Sequence, residues 1–163
     1  MHAIQFDHYG PPAVLDCRQV PDPVAAPGRL LVKVQAAGVN PKDCLVRRGH
    51  FRLFTGRRFP KGLGHDFAGE VVAADSPGSA FQPGDAVFGM TNGWQGRTYA
   101  EFLVADPAET ARQPANLDFI QAAALPLVAQ TALQALRDIG RLAPGNRVCI
   151  NGASGGVGTL AIQ

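Results

Sequence analysis

Alternation of apolar and polar positions dominates the larger, N-terminal part of the chain. In Leu30 to Ala36, Val32, Val34 and Ala36 can face a core while Lys33 and Gln35 face water, the period of a half-buried strand. Ala3 to Phe6, Val14 to Val20, Phe67 to Ala74, Asp85 to Phe88 and Tyr99 to Val104 carry further strand patterns. Pro21, Pro23, Pro27 and Gly28, then Pro77-Gly78 and Pro83-Gly84, punctuate them as turns. Together they predict a barrel-like, mainly β domain. The pattern changes after residue 118. Asp118 reads as a helix N-cap, and Leu127 to Ile139 sets Val128, Ala132, Ala135, Leu136 and Ile139 on one stripe, with Gly140 as the stop. This change places the one visible boundary: residues 1–118 form a first unit and 119–163 begin a second.

The tail carries a different signal. Val148, Cys149 and Ile150 form a short apolar run without solvent-side alternation, which predicts a parallel strand covered on both faces. Pro144-Gly145 is a turn ahead of it, and Thr159 to Ile162 suit a helix start. Between them the spacing is Ala153-x-Gly155-x-x-Gly158. Strand, glycine turn and helix start, in that order, make a βα unit able to hold a dinucleotide. Residues without side chains let the backbone approach a pyrophosphate, and free N–H groups at the helix N-terminus point at its charge. Candidate cofactor contacts are Ala153, Ser154, Gly155, Gly156, Val157 and Gly158. With alanine in the first glycine slot, the turn alone also fits a glycine-rich turn that binds nothing.

Composition narrows the class rather than the activity. Hydrophobic residues at 46% and charged residues at 17% over 163 positions are those of a globular protein, not of a disordered or fibrous one. A net charge of +2 is too small to imply a nucleic-acid or membrane partner. The N-terminus shows no basic stretch followed by a long apolar one, and no run reaches membrane-spanning length, so a cytoplasmic chain is expected. Cys17, Cys44 and Cys149 are widely separated and none belongs to a Cys-x-x-Cys pair, so they read as free thiols.

Several motifs in order carry a resemblance that covers nearly the whole chain. They are Ala3-Ile4-Gln5-Phe6 with Tyr9-Gly10-Pro11-Pro12, Ala37-Gly38-Val39-Asn40-Pro41-Lys42-Asp43, Gly64-His65-Asp66-Phe67-Ala68-Gly69, Pro83-Gly84-Asp85-Ala86-Val87-Phe88-Gly89, and the glycine turn. With them the sequence resembles the zinc-independent quinone oxidoreductase and enone reductase branch of the medium-chain dehydrogenase/reductase superfamily. The resemblance implies a mainly β GroES-like domain followed by the first β-strand and helix start of a truncated α/β Rossmann domain. It implies NADPH as cofactor, a quinone or α,β-unsaturated carbonyl as small-molecule substrate, and a homodimer for the full-length protein.

In zinc-dependent relatives a cysteine ligand stands where this chain has Asn40. An amide is a poor zinc donor but can hydrogen-bond a carbonyl or carboxamide, so no metal is expected. His65 matches the histidine of the zinc enzymes and Asp66 stands at their glutamate; the pair reads as a remnant or as hydrogen-bonded structural residues. By resemblance, Asn40, Asp43 and Thr131 lie near the nicotinamide or support it, with local capping as the other reading of Asp43. Leu45 stands where many quinone oxidoreductases have tyrosine, which removes a hydroxyl from the substrate pocket. Trp94 is the second pocket candidate, as a wall for a flat acceptor.

Two other functional readings exist: a zinc-dependent alcohol dehydrogenase, and a non-catalytic nucleic-acid-binding module. The latter rests on residues 47–61, where arginines and Lys61 interleave with Phe51, Phe54 and Phe59. The expected form of that stretch is a loop with solvated arginines and phenylalanines tucked beneath, binding no nucleic acid. Gln163 comes about five residues after Gly158, so the last helix has little more than one turn, roughly 7 Å. The residue that reads the ribose lies beyond it, so NADPH is inferred from the family alone, and the 163-residue chain by itself is expected to be inactive.

Overall fold

A computed structural model describes residues 1–74, 79–92 and 96–163. Two antiparallel sheets form the β-rich part. The smaller has the order β2-β1-β4 and is built from β1 (His2–Phe6), β2 (Asp16–Gln19) and β4 (Lys61–Gly62). The larger has the order β7-β3-β5-β6-β8, from β3 (Leu30–Ala37), β5 (Asp66–Ala74), β6 (Ala86–Met90), β7 (Phe102–Ala105) and β8 (Thr110–Arg112). A bridge between Ala3 and Ala100 joins the sheets. The strands predicted before residue 118 are all present; the short β4 and β8 were not expected, having too few residues to show a period.

Register follows the alternation. Leu30 and Val32 of β3 are buried, Lys33 and Gln35 are exposed, and Val32 lies opposite both Val71 and Leu103. These residues, with Phe67, Phe81, Val87 and Ala105, make the main core on one face of the larger sheet. A second cluster gathers Phe6, Val46 and Leu63 with Tyr9, Phe51, Phe59 and Tyr99. A third packs Ala122 and Ala123 onto Ala68, with Ala36 and Phe88 beside them, and seats the helical tail against the sheet.

Residues 40–61 depart from the expected loop. Asn40 N-caps α1 (Pro41–Arg47), with proline at its first position and Asp43 completing a capping box. A short α2 (Arg52–Thr55) follows. Phe51 and Phe59 are tucked as predicted, but Leu53 is 90% exposed and Phe54 64%. Arg47, read as solvated, is buried, and so is Lys61. Arg47 Nε donates to the Gly10 carbonyl at 3.2 Å. Lys61 Nζ donates to the Thr55 carbonyl at 2.7 Å and sits 4.7 Å from the Phe59 ring centroid. A carbonyl offsets part of the desolvation cost of each cation, and for Lys61 an aromatic face adds to it.

Asp118 caps α3 (Phe119–Ala123), its carboxylate accepting from the Gln121 N–H at 2.7 Å. The predicted helix to Ile139 is α4 (Pro126–Leu133) continued by a wider π turn over Gln134–Ile139, closed by the Gly140 N–H on the Ala135 carbonyl at 2.8 Å. Its stripe is only partly buried: Ala132 is covered, while Ile139 is 81% exposed. The helix expected to begin at Thr159 is α5 (Gly156–Ala161), which starts three residues earlier, within the glycine turn. Val148 to Ile150, expected as a parallel strand, belongs to neither sheet because no neighbouring strand is present among the described residues to complete its ladder.

Candidate active site

Helix α1 brings its N-terminal residues against the start of β5, and a closed set of polar side chains results. The Asn40 N–H donates to Asp43 Oδ2 at 2.8 Å, and the Asn40 side-chain Nδ2 donates to Asp66 Oδ2 at 2.8 Å. The other Asp66 oxygen accepts from the Leu127 N–H at 3.0 Å, in the first turn of α4. His65 Nδ1 lies 2.8 Å from Asp43 Oδ1, and the Tyr99 hydroxyl donates to Asp43 Oδ2 at 2.9 Å. Asn40, Asp43, His65 and Asp66 are all buried. A side chain at Gly38 would come within 2.6 Å of the Ala123 carbonyl, so the loop before Asn40 lies directly on α3.

The two carboxylates are driven apart. Burial pushes Asp43 up, but His65, the Asn40 N–H and the Tyr99 hydroxyl outweigh it and hold the group below the usual range. Burial raises Asp66, Asp43's charge adds to this, and the bonds from Asn40 and Leu127 only partly oppose it. Burial, and then the neighbouring Asp43 charge, push the Tyr99 hydroxyl far up, so it stays a donor. With Asp43 ionised, His65 carries its proton on Nδ1, and its buried Nε2 has no hydrogen-bond partner among the described residues. Asn40 turns its amide toward Asp66, and Asp43 holds His65. Among the described residues no group of three or more His, Cys, Asp or Glu side chains is arranged to hold a metal ion.

The structure brings together Asn40 and Asp43 but leaves Thr131 outside their direct contact. Thr131 is exposed on α4, and its hydroxyl donates to the Leu127 carbonyl at 2.7 Å. Leu45 is half-buried on α1. Trp94 lies outside the described residues. The sequence reading missed Tyr99 and the part played by Asp66. The local-capping reading of Asp43 holds, in the capping box that starts α1, but nothing local ties Tyr99 to Asp43, 56 positions away.

At the glycine turn, Gly155 caps α5 and donates its N–H to the Gly152 carbonyl at 3.0 Å. A Cβ at Gly158 would lie 2.3 Å from the Gly152 oxygen, so the turn closes only on glycine. A Cβ at Gly155 would meet only that same oxygen, at 3.3 Å, and otherwise faces open space. The first-turn N–H groups of Gly156, Val157 and Gly158 have no intrahelical acceptor. This backbone fits a pyrophosphate: accessible, without screening side chains, and rich in donors. Ala132, Leu136, Val148, Ile150, Gly155 and Val157 line a cavity of about 500 Å³ beside it.

Residues 26–115 match the alcohol dehydrogenase GroES-like domain, and the chain belongs to that family. It is 38% identical over 182 residues to the human mitochondrial NAD(P)H oxidoreductase RTN4IP1, covering 100% of this chain and 46% of the relative. It is 37% identical over 169 residues to the chloroplast envelope quinone oxidoreductase homolog of Arabidopsis thaliana, covering 100% and 51%. The solved quinone oxidoreductase of Coxiella burnetii superposes with a TM-score of 0.90 at 39% identity, covering 99% of this chain and 52% of that one. The chain thus spans about half the length of the curated relatives it matches. Within the medium-chain dehydrogenase/reductase superfamily it falls in the zinc-independent quinone and enone reductase branch: a GroES-like domain followed by elements of the start of a Rossmann fold. The relatives are mitochondrial or chloroplastic, which overturns the expectation of a cytoplasmic chain drawn from its N-terminal composition.

Proposed function

We propose that this chain is the substrate-side half, with the first cofactor contacts, of a reductase that uses NADPH to reduce quinones or α,β-unsaturated carbonyl compounds. The observation that carries this reading is the open glycine turn at the start of α5, packed beside the helix whose first turn Asp66 caps. The names of the human and Coxiella proteins, an NAD(P)H oxidoreductase and a quinone oxidoreductase, support the same chemistry. Bound at that turn, the dinucleotide would supply a hydride from its nicotinamide ring to an electron-poor carbon.

The chain's own residues do the rest by holding geometry. The Gly156, Val157 and Gly158 N–H groups receive the pyrophosphate; Asn40, supported by Asp43, sets the substrate-side wall; Thr131 lines the approach along α4. Leu45, half-buried on α1, stands on the apolar side of the acceptor pocket. Residues 1–118 constitute the substrate domain and 119–163 the opening of the dinucleotide domain. NADPH is preferred over NADH on family grounds. The test is a fluorescence titration with NADPH and with NADH on the wild type and on Gly155→Val. Wild-type binding weakened at least tenfold by Gly155→Val, with an unchanged unfolding midpoint, is the expected result. Equal affinity in both proteins sinks the assignment of the turn, and tighter NADH binding sinks the cofactor preference.

A further inference from the structure

We propose that Asp66 is a positioning residue that fixes α4, and through it the glycine turn, relative to Asn40; the functional half of this inference rests on the reading above. Asp66 is the first residue of β5, at the middle of the larger sheet, and is 1% exposed. Its two oxygens serve two different parts of the molecule. One takes the Asn40 amide at 2.8 Å, from the substrate side, and the other takes the Leu127 N–H at 3.0 Å, from α4. Leu127 is the second residue of that helix, so its N–H lacks an intrahelical acceptor and lies at the positive end of the helix dipole.

From Leu127 the connection continues without a gap. Its carbonyl accepts the Thr131 hydroxyl, and the side chain of the next residue, Val128, packs so closely on Gly156 that a Cβ there would lie 3.2 Å from Val128 Cγ1. Ala132, one turn on, lines the same cavity as Gly155 and Gly158. A single carboxylate therefore sets the offset between Asn40 and the pyrophosphate turn, the offset on which hydride transfer depends. Only a carboxylate suits the place, because both neighbours are donors and it accepts with both oxygens. An amide of the same shape would set an NH2 against one of them. Burial disfavours the ionised group, and the two donors that meet its oxygens offset part of that cost.

The experiment is amide exchange and nuclear magnetic resonance on the 163-residue chain as wild type, Asp66→Asn and Asp66→Glu. In Asp66→Asn the amides from Leu127 to Leu133 are expected to exchange at least tenfold faster, while those of β3 and β5 stay within threefold. On adding NADPH, wild-type resonances of Gly156 to Gly158 and of the Asn40 side-chain NH2 should move together. In Asp66→Asn the glycines should move alone, and Asp66→Glu, which keeps both acceptor oxygens, should restore part of the coupling. Unchanged exchange in α4, a uniform rise in every element, or co-movement retained in Asp66→Asn would each overturn the proposal. Should Asp66→Asn not fold, Leu127→Pro deletes the N–H partner together with the half-buried leucine side chain, in the first helical turn where no intrahelical bond is lost, and reads the same coupling from Ala129 to Leu133. If NADPH moves no glycine resonance in the wild type, the cofactor reading fails, and exchange at α4 alone decides whether Asp66 is the joint.

Discussion

Asp43 and Asp66 are neighbours in one buried network, yet they couple to pH with opposite sign. Asp43 is held below its unfolded value of about 3.9 by His65, the Asn40 N–H and Tyr99, which outweigh burial. Its contribution to stability is present above about 3.9 and is lost as pH falls through the lower folded value. Asp66 is raised by burial first, so its contribution is present below about 3.9 and is lost as pH rises through the higher folded value. Asp43→Asn removes the first dependence and leaves His65 Nδ1 without its charged partner. It is expected to lower the unfolding free energy near neutral pH by about 3 kcal/mol and to flatten the loss on the acid side. Urea unfolding of both proteins between roughly pH 3 and pH 7 measures this. Parallel pH profiles would show that Asp43 is not the group responsible.

At the scale of elements, β5 is the strand everything else leans on. It pairs with β3 and β6, begins with Asp66, and places Phe67 in the main core while Ala68 meets α3 on the opposite face. That division explains why its first half is buried without alternation. Phe67→Ala empties a fully buried ring site between β3 and β6 and is expected to cost about 3–5 kcal/mol. Denaturant unfolding with an unchanged m-value checks it, and a loss below about 1 kcal/mol would mean that the neighbours collapse into the space.

The whole molecule is unevenly held. Main-core residues lie between paired strands, whereas Leu133, Ile139, Leu142, Val148 and Ile162, all from α4 onward, remain exposed. Few buried apolar contacts and an unpaired backbone mean low local stability. Hydrogen exchange is therefore expected to be slowest in β3 and β5 and fastest over residues 142–152, by at least a hundredfold. Uniform protection along the chain would contradict this.

Local pattern by itself determined the longer strands of both sheets, the Asp118 cap, the Gly140 stop and the glycine turn. Period-2 alternation, capping chemistry and the need for bare backbone are properties of a few adjacent residues, so they survive without a fold. It also marked Asn40 and Asp43, through a motif. The tertiary structure alone decided what those two residues touch. Tyr99 and Leu127 reach Asp43 and Asp66 across 56 and 61 positions. Arg47 is buried because the Gly10 carbonyl, 37 positions away, waits for it, and Lys61 because the chain folds back to bring it under the Thr55 carbonyl at the end of α2. Val148 to Ile150 has a strand's composition but no ladder, since pairing belongs to two segments and composition to one. Contacts between distant segments depend on how sheets and helices close on one another, and that closure is written in no single stretch of the sequence.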